Sequence, residues 1–142
     1  MNTLIERLTA APPFALLARI VLTLMFWLSG IAKLADFPAA IAEMRHFGLE
    51  PAVPIAVAVI AVQLVGSALV ISGRHVWLGA GMLGVFTVLT IPIAHAFWTM
   101  DGERAFLEMM FAFEHISVIG GLMVVAAFGE ARRRAVPTSA PA

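Results

Sequence analysis

The sequence predicts an all-α integral membrane protein: an up-down bundle of four transmembrane helices with a short interfacial helix between the first two spans. Hydrophobic residues make up 61% of the 142 residues and charged residues 13%, whereas soluble domains average roughly 45–50% and about 25%. The apolar residues gather in four segments, each close to the roughly 20 residues that a helix needs to cross a bilayer. Such a composition excludes both an ordinary soluble domain and a disordered chain.

The net charge and the lack of cysteine exclude several classes of function. The formal net charge is zero, so nothing in the composition indicates a nucleic-acid-binding protein. The sequence contains no cysteine, which excludes disulfides, thiolate metal sites and a dithiol redox centre of its own. Any redox chemistry would therefore require a bound cofactor or a partner protein.

The four predicted spans are residues 13–34, 52–71, 76–98 and 105–128. The first is longer than the 7–15 apolar residues of a signal peptide, and no small-residue cleavage site follows it. We therefore interpret it as a retained span. Residues 72–75 and 99–104 form short turns between the later spans, and such turns make neighbouring helices antiparallel.

Basic residues outside the spans predict the orientation. One side has the larger group: Arg7, Arg74 and the arginines at 132–134. The opposite side has the smaller group: Lys33, Arg45 and Arg104. By the positive-inside rule, both termini are expected in the cytoplasm of a bacterial inner membrane.

The connection between the first two spans has a helical pattern of its own. Apolar residues recur at helical spacing at Phe37, Ile41, Met44 and Phe47. A helix with one apolar face that is too short to span fits the membrane interface. Gly48 and the following Pro51 end it. Residues 1–134 are expected to form a single domain, and the proline-rich residues 135–142 a disordered tail.

Each span contains a polar residue that is expensive in hydrocarbon and is therefore a candidate functional residue. The candidate intramembrane site comprises Arg19, Lys33, Gln63, His95, Glu114 and His115. Helical spacing groups each residue with small neighbours, which suit close packing of membrane helices. The predicted inward faces are Arg19–Thr23–Phe26–Gly30–Lys33, Gln63–Gly66–Ser67–Val70, Gly81–Gly84–Val88–Ile91–His95 and Met110–Glu114–Ser117–Val118–Gly121.

Arg19 and Glu114 carry the two charges whose burial in hydrocarbon costs the most free energy. The preferred explanation is that they form an ion pair. With a rise of about 1.5 Å per residue, the two differ in depth by about 7 Å, and Gln63 lies at the level of Glu114. The pair would either fix the packing of the helices or form a site for protons or a ligand. His115 points away from Glu114 towards Glu108, which indicates a packed, hydrogen-bonded histidine.

Two other features concern the third span. Pro92 lies three residues before His95 and is expected to kink the helix, which favours a cavity in the outer half of the bundle. His95 and His115 differ by about 10 Å in expected depth. Since no two histidines have ligand spacing, we expect no metal site.

Five segments in order resemble the DoxX family of small four-helix bacterial membrane proteins. These are Arg19 followed by FWLSGIAKLADF, GLEPAVP, VQLVGSALVISGR, IPIAHAFW and ISVIGGLMVVAAFGEARR. The chain departs from the family at Gln63, where glutamate is usual, and at Glu114–His115, where Lys-Asn is usual. The resemblance implies an association with thiol or sulfur oxidation and with quinone-linked redox complexes.

Three classes of function remain open. The first is a membrane subunit or partner of a thiol, sulfur or quinone-linked redox system that works with an oxidoreductase. In it the bundle interior binds an apolar redox molecule, for which a quinone is one candidate, with Glu114, His95 and Arg19 as polar contacts. The second is a small transporter or proton-coupled permease with Glu114 as its proton site, which would require a homo-oligomer. The third is a non-catalytic membrane scaffold or assembly factor, so the sequence leaves open whether the protein is an enzyme.

Overall fold

The computed structural model describes residues 2–134, with side chains for residues 3–129, and within that range every regular element is a helix. The α-helices are α1 Asn2–Ala10, α2 Pro12–Leu22, α3 Leu24–Ala35, α4 Phe37–His46, α5 Ala52–Ser72, α6 Val76–Ala94 and α7 Gly102–Arg134. A 3-10 turn, Phe97–Thr99, connects α6 to α7. The predicted tail, residues 135–142, lies outside the described residues.

Among the described residues, three helical segments are long and apolar enough to cross a membrane: Ala52–Ser72, Val76–Thr99 and Gly102–Gly129. The helices α2 and α3 supply a fourth candidate span if they are counted together, although they meet at a bend of 55°. The prediction of an all-helical chain is therefore confirmed over residues 2–134, with three or four candidate membrane spans.

The bend at Thr23 corrects the prediction of one uninterrupted helix over residues 13–34. Thr23 is fully buried, and its hydroxyl donates to the Arg19 carbonyl at 2.8 Å and to the Ile20 carbonyl at 3.4 Å. The indole N–H of Trp27 also donates to the Ile20 carbonyl at 3.4 Å. Side chains thus satisfy the carbonyls at the break, as a kink without proline requires.

The predicted short helix between the first two spans is present as α4. The Asp36 carboxylate caps it by accepting from the Ala39 N–H at 3.0 Å, and Gly48 follows its end at φ +68°, which glycine adopts without strain. Ala40 and Met44 of α4 pack with Ala52 and Ala56 of α5 in a small apolar core. The location of α4 at the membrane surface stays a prediction.

The α-helix of the third span ends earlier than predicted. Pro92 lies inside α6, which stops two residues later at Ala94. Proline lacks an N–H and its ring clashes with the carbonyl four residues before it, here that of Val88, so the last turn is weakened. His95 is therefore the residue after the helix, and its N–H bonds to the Ile91 carbonyl at 2.9 Å. The helix of the fourth span extends beyond the predicted residues 105–128 at both ends.

A close contact between two glycines brings α5 and α6 together. A Cβ atom on Gly79 would lie 2.6 Å from the Gly66 carbonyl oxygen and 2.8 Å from the Leu69 Cβ. Only a glycine permits this approach of the two backbones. The main apolar core adjoins this contact and consists of Phe26, Val70, Ala80, Leu83 and Leu122.

Candidate functional site

The predicted inward faces of the first two spans are confirmed. In α2 and α3 the residues Thr23, Phe26 and Gly30 are buried, while Arg19 and Lys33 are partly buried at either end of the face. In α5 the whole predicted set is buried: Gln63, Gly66, Ser67 and Val70. These faces place Lys33 and Gln63 at the contact between α3 and α5.

The predicted faces of the third and fourth spans are wrong. In α6, Gly81 and Val88 are exposed, whereas the buried residues are Val76, Gly79, Ala80, Leu83 and Thr87. In α7, Glu114 is exposed and its neighbour His115 is partly buried. Successive residues of a helix point about 100° apart, so a face through Ala112 and Leu122 turns His115 inward and Glu114 outward.

The preferred Arg19–Glu114 ion pair does not form. The ion pairs among the described residues are Lys33–Glu43, Arg45–Glu50 and His95–Glu108. Arg19 instead donates from Nε to the Ala15 carbonyl at 3.1 Å, and its guanidinium lies against Gly73 at the end of α5. Facing opposite ways, Arg19 and Glu114 have no shared site.

A cluster of His95, Glu108, Phe111 and His115, named here the histidine–glutamate cluster, joins the end of α6 to α7. The His95 Nδ1 lies 2.8 Å from the Glu108 Oε2, and the two side chains are 17% and 20% exposed. The His95 ring centroid is 4.6 Å from that of His115 and 5.7 Å from that of Phe111. Since α6 ends at Ala94, the two histidines lie side by side, which corrects their expected separation of about 10 Å in depth.

Hydrogen bonds fix how the two imidazoles are oriented. The His115 Nδ1 is 2.8 Å from the Phe111 carbonyl oxygen, which only accepts, so Nδ1 is the protonated nitrogen. A carboxylate oxygen accepts from an N–H, so the His95 Nδ1 is likewise assigned as the donor to the Glu108 Oε2. A histidine held in this way can give or receive a proton at its other nitrogen, Nε2.

A second set of polar residues lies between α3, α4 and α5 and is named here the buried polar chain. It begins at Glu43, whose side chain is 41% exposed, and continues through Lys33, Ser29 and Gln63, with Ser67 one turn beyond Gln63 on α5. The Lys33 Nζ lies 2.7 Å from the Glu43 Oε2 and 3.3 Å from the Ser29 Oγ. The Gln63 Nε2 donates to the same Ser29 oxygen at 3.2 Å. The Gln63 Oε1 and the Ser67 Oγ are buried without a hydrogen-bond partner among the described residues.

The structure adds Glu108 and Glu43 to the candidate site residues, beside His95 and Lys33 respectively. Glu108 and His115 are seven residues apart and share one helical face, so their spacing was a signal for the first cluster. Glu43 gave a weaker signal, because its partner Lys33 lies on another helix. The described residues bring no group of three or more histidine, cysteine or acidic side chains into a geometry for a metal ion.

Comparison with known proteins places the chain among bacterial membrane proteins. Residues 14–96 match the model of the DoxX family. Inner membrane protein YphA from Escherichia coli (strain K12) is 25% identical over 131 residues, which cover 91% of this chain and 94% of that protein. No solved structure matches the chain. The family match contains Arg19, Lys33, Gln63 and His95, and it ends before α7.

Proposed function

Because the chain belongs to the DoxX family, we propose that it is an inner-membrane subunit of a redox system and holds a quinone-class carrier for an oxidoreductase partner. The observation that carries the proposal is the contact of His95 with Glu108 inside an apolar helical bundle. Burying an imidazole–carboxylate pair in such a bundle costs free energy, and ionisable residues within membrane segments usually have a function. The similarity to YphA supports the location in the inner membrane.

The proposed arrangement counts α2 and α3 as one span, which gives four antiparallel spans. The short connections after α5 and α6 support it, because each returns the chain directly across the membrane. The group of Arg7, Arg74 and the arginines at 132–134 supports cytoplasmic termini. The histidine–glutamate cluster then lies in the outer half of the bundle, at the mouth of the site.

The residues around His95 fit a flat, apolar head group. The ring centroid of Phe111 is 5.7 Å from that of His95. Aromatic rings stack on such a group, while an imidazole N–H donates to its carbonyl oxygen. Fixed donors of this kind are typical of pockets that orient a small apolar ligand.

A quinone accepts two electrons and two protons when it is reduced. His95 would exchange a proton with the quinone oxygen at Nε2, while Glu108 holds the imidazole in place through Nδ1. The protein has no cysteine, so the electrons are assigned to the partner oxidoreductase. In this scheme the chain binds, orients and exchanges protons.

Binding of decylubiquinone to the protein in nanodiscs tests this function. Trp98 follows Phe97 directly, with ring centroids 5.1 Å apart, so its fluorescence reports on a ligand at the cluster. We expect saturable quenching in the wild type and about tenfold weaker affinity in His95→Ala, the loss of one good polar contact. The exposed His46 supplies the control variant His46→Ala.

Two results would refute the quinone-carrier function: no saturable quenching in the wild type, or the same affinity in His95→Ala as in His46→Ala. The permease hypothesis stays a prediction: Glu114 is exposed on α7 of the single chain, so a proton site there would require the homo-oligomer. The scaffold hypothesis predicts that His95→Ala lowers the abundance of the protein while wild-type quenching is absent.

A further inference from the structure

A groove of about 760 Å³ runs between the N-terminal helices and the last turns of α7. Most of its lining is apolar and includes Phe14, Leu22, Val76, Val124 and Phe128. Phe14, Val124 and Phe128 are 49%, 56% and 71% exposed, so the groove opens sideways where lipid would surround the bundle. It lies at the other end of α7 from the histidine–glutamate cluster.

Arg19 is the one charged residue among the described residues that line this groove. A Cβ atom on Gly73 would lie 3.3 Å from the Arg19 Cζ, so the guanidinium is held at the end of α5, where the helix dipole favours positive charge. Arg74 comes directly after Gly73 at the same end of α5. The charge that the described lining presents to this end of the groove is that of Arg19.

We propose that the groove binds an anionic phospholipid, with an acyl chain along the apolar walls and the phosphate at Arg19. A guanidinium only donates hydrogen bonds and matches the oxygens of a phosphate in a bidentate geometry. Arg19 lies about 10 Å along the helix from Pro12, a depth from which an arginine reaches towards the head groups.

The chemistry of the groove separates this site from the quinone site. A quinone head group is neutral and exchanges protons on reduction, whereas Arg19 carries a permanent positive charge and the rest of the described lining is uncharged. An anion with a long apolar tail matches both the charge and the walls. The lipid site stands on its own observations and does not depend on the redox function.

Native mass spectrometry of the protein from nanodiscs tests the proposal. The bilayer contains equal amounts of dioleoylphosphatidylglycerol and dioleoylphosphatidylcholine, and the ratio of the two lipids retained after transfer to detergent is measured. We expect about a tenfold preference for the anionic lipid in the wild type, the size of one charge-assisted contact. Arg19→Gln removes that preference, whereas Arg104→Gln, the same change at the opposite end of α7, keeps it.

A second pair of variants tests the apolar part without touching a charge. Val124→Trp fills the groove from an exposed position and is expected to abolish retention of either lipid. Met123→Trp adds the same side chain at a neighbouring position that is 68% exposed and outside the lining, so retention should persist. Equal retention of both lipids by the wild type, loss in Arg104→Gln equal to that in Arg19→Gln, or full retention in Val124→Trp would each overturn the proposal.

Discussion

The Nδ1 of His95 lies 2.8 Å from the Oε2 of Glu108, so the first residue after α6 is fastened to the second turn of α7. The helix α6 ends at Ala94, two residues after Pro92, and the imidazole of the next residue contacts the neighbouring helix. One contact thus joins the ends of two predicted spans and fixes the orientation of the imidazole.

Removing the carboxylate from this contact is expected to destabilise the junction. Glu108→Ala should lower the free energy of unfolding by about 1.5–3 kcal/mol, the usual contribution of a hydrogen bond to a charged group. Glu103→Ala, at an exposed position one turn earlier, should change it by less than about 0.5 kcal/mol. Thermal unfolding in detergent measures both, and equal midpoints would contradict the role of Glu108.

Glycine positions allow a sharper test of the contact between α5 and α6. Gly79→Ala would press its Cβ against the Gly66 carbonyl oxygen, 2.6 Å away, and overpacking of this kind costs about 1–3 kcal/mol. Gly81→Ala has nothing within 4 Å of the new Cβ and should be neutral or stabilising by about 0.5–1 kcal/mol. The yield of folded protein and the unfolding midpoint distinguish them. If Gly81→Ala is the worse variant, the packing described for α6 is incorrect.

Helical periodicity predicted the faces of the first two spans but not those of the last two. In α5 the polar residues and the small residues share one face, so the two signals agree on Gln63 and Ser67. In α7 they conflict, because Glu114 shares a stripe with Ser117 and Gly121 while Glu108 and His115 form another. Only the packing against α6 decides between such stripes, and a single sequence does not contain that information.

The break at Thr23 and the end of α6 differ in how far the sequence predicts them. Pro92 predicts a break in the helix because it lacks a backbone N–H. Thr23 lies in a run without glycine or proline, so the sequence does not predict the bend there. The bend there depends on the Trp27 indole, which reaches the Ile20 carbonyl across seven residues. Helical spacing does not predict the pairing of Lys33 with Glu43 either, because it requires the turn at Asp36 that folds α4 back.

The outward orientation of Glu114 predicts an outcome opposite to that of an interior ion pair. Replacing an exposed charge within an apolar span removes a cost of about 2–3 kcal/mol on insertion scales. Glu114→Leu should therefore preserve or raise the unfolding midpoint and the level of inserted protein. Glu108→Leu, the same substitution on the inward face, should lower both. A marked loss in Glu114→Leu would restore the Arg19–Glu114 pair as an explanation.

The contact of Lys33 with Glu43 is expected to show a measurable coupling energy. The Lys33 side chain is 15% exposed, whereas Arg45 and Glu50 of the longer surface pair are 65% and 62% exposed. A double-mutant cycle with Lys33→Met and Glu43→Gln should give a coupling of at least about 1 kcal/mol. The matching cycle on Arg45 and Glu50 should give about 0–0.5 kcal/mol, as exposed pairs do. Equal couplings would mean that the burial of Lys33 has no energetic effect.

Most core substitutions lower the stability of a protein, but replacement of Gln63 is expected not to, because its side-chain carbonyl is unpaired. Its Oε1 is buried without a partner among the described residues, and such an atom costs about 1–3 kcal/mol. Gln63→Leu removes that cost and forfeits one hydrogen bond to Ser29, which keeps its contact with Lys33. We expect the free energy of unfolding to stay level or to rise by about 1 kcal/mol.

Thr87→Val is the matched control, because Thr87 is also buried but its hydroxyl donates to the Leu83 carbonyl at 2.7 Å. Losing a satisfied bond should lower stability by about 0.5–1.5 kcal/mol, so the two variants are expected to move in opposite directions. A larger loss in Gln63→Leu than in Thr87→Val would mean that Oε1 has a bound partner. A polar residue that lowers stability is typical of a functional position, so a stabilised Gln63→Leu would mark the buried polar chain for functional study.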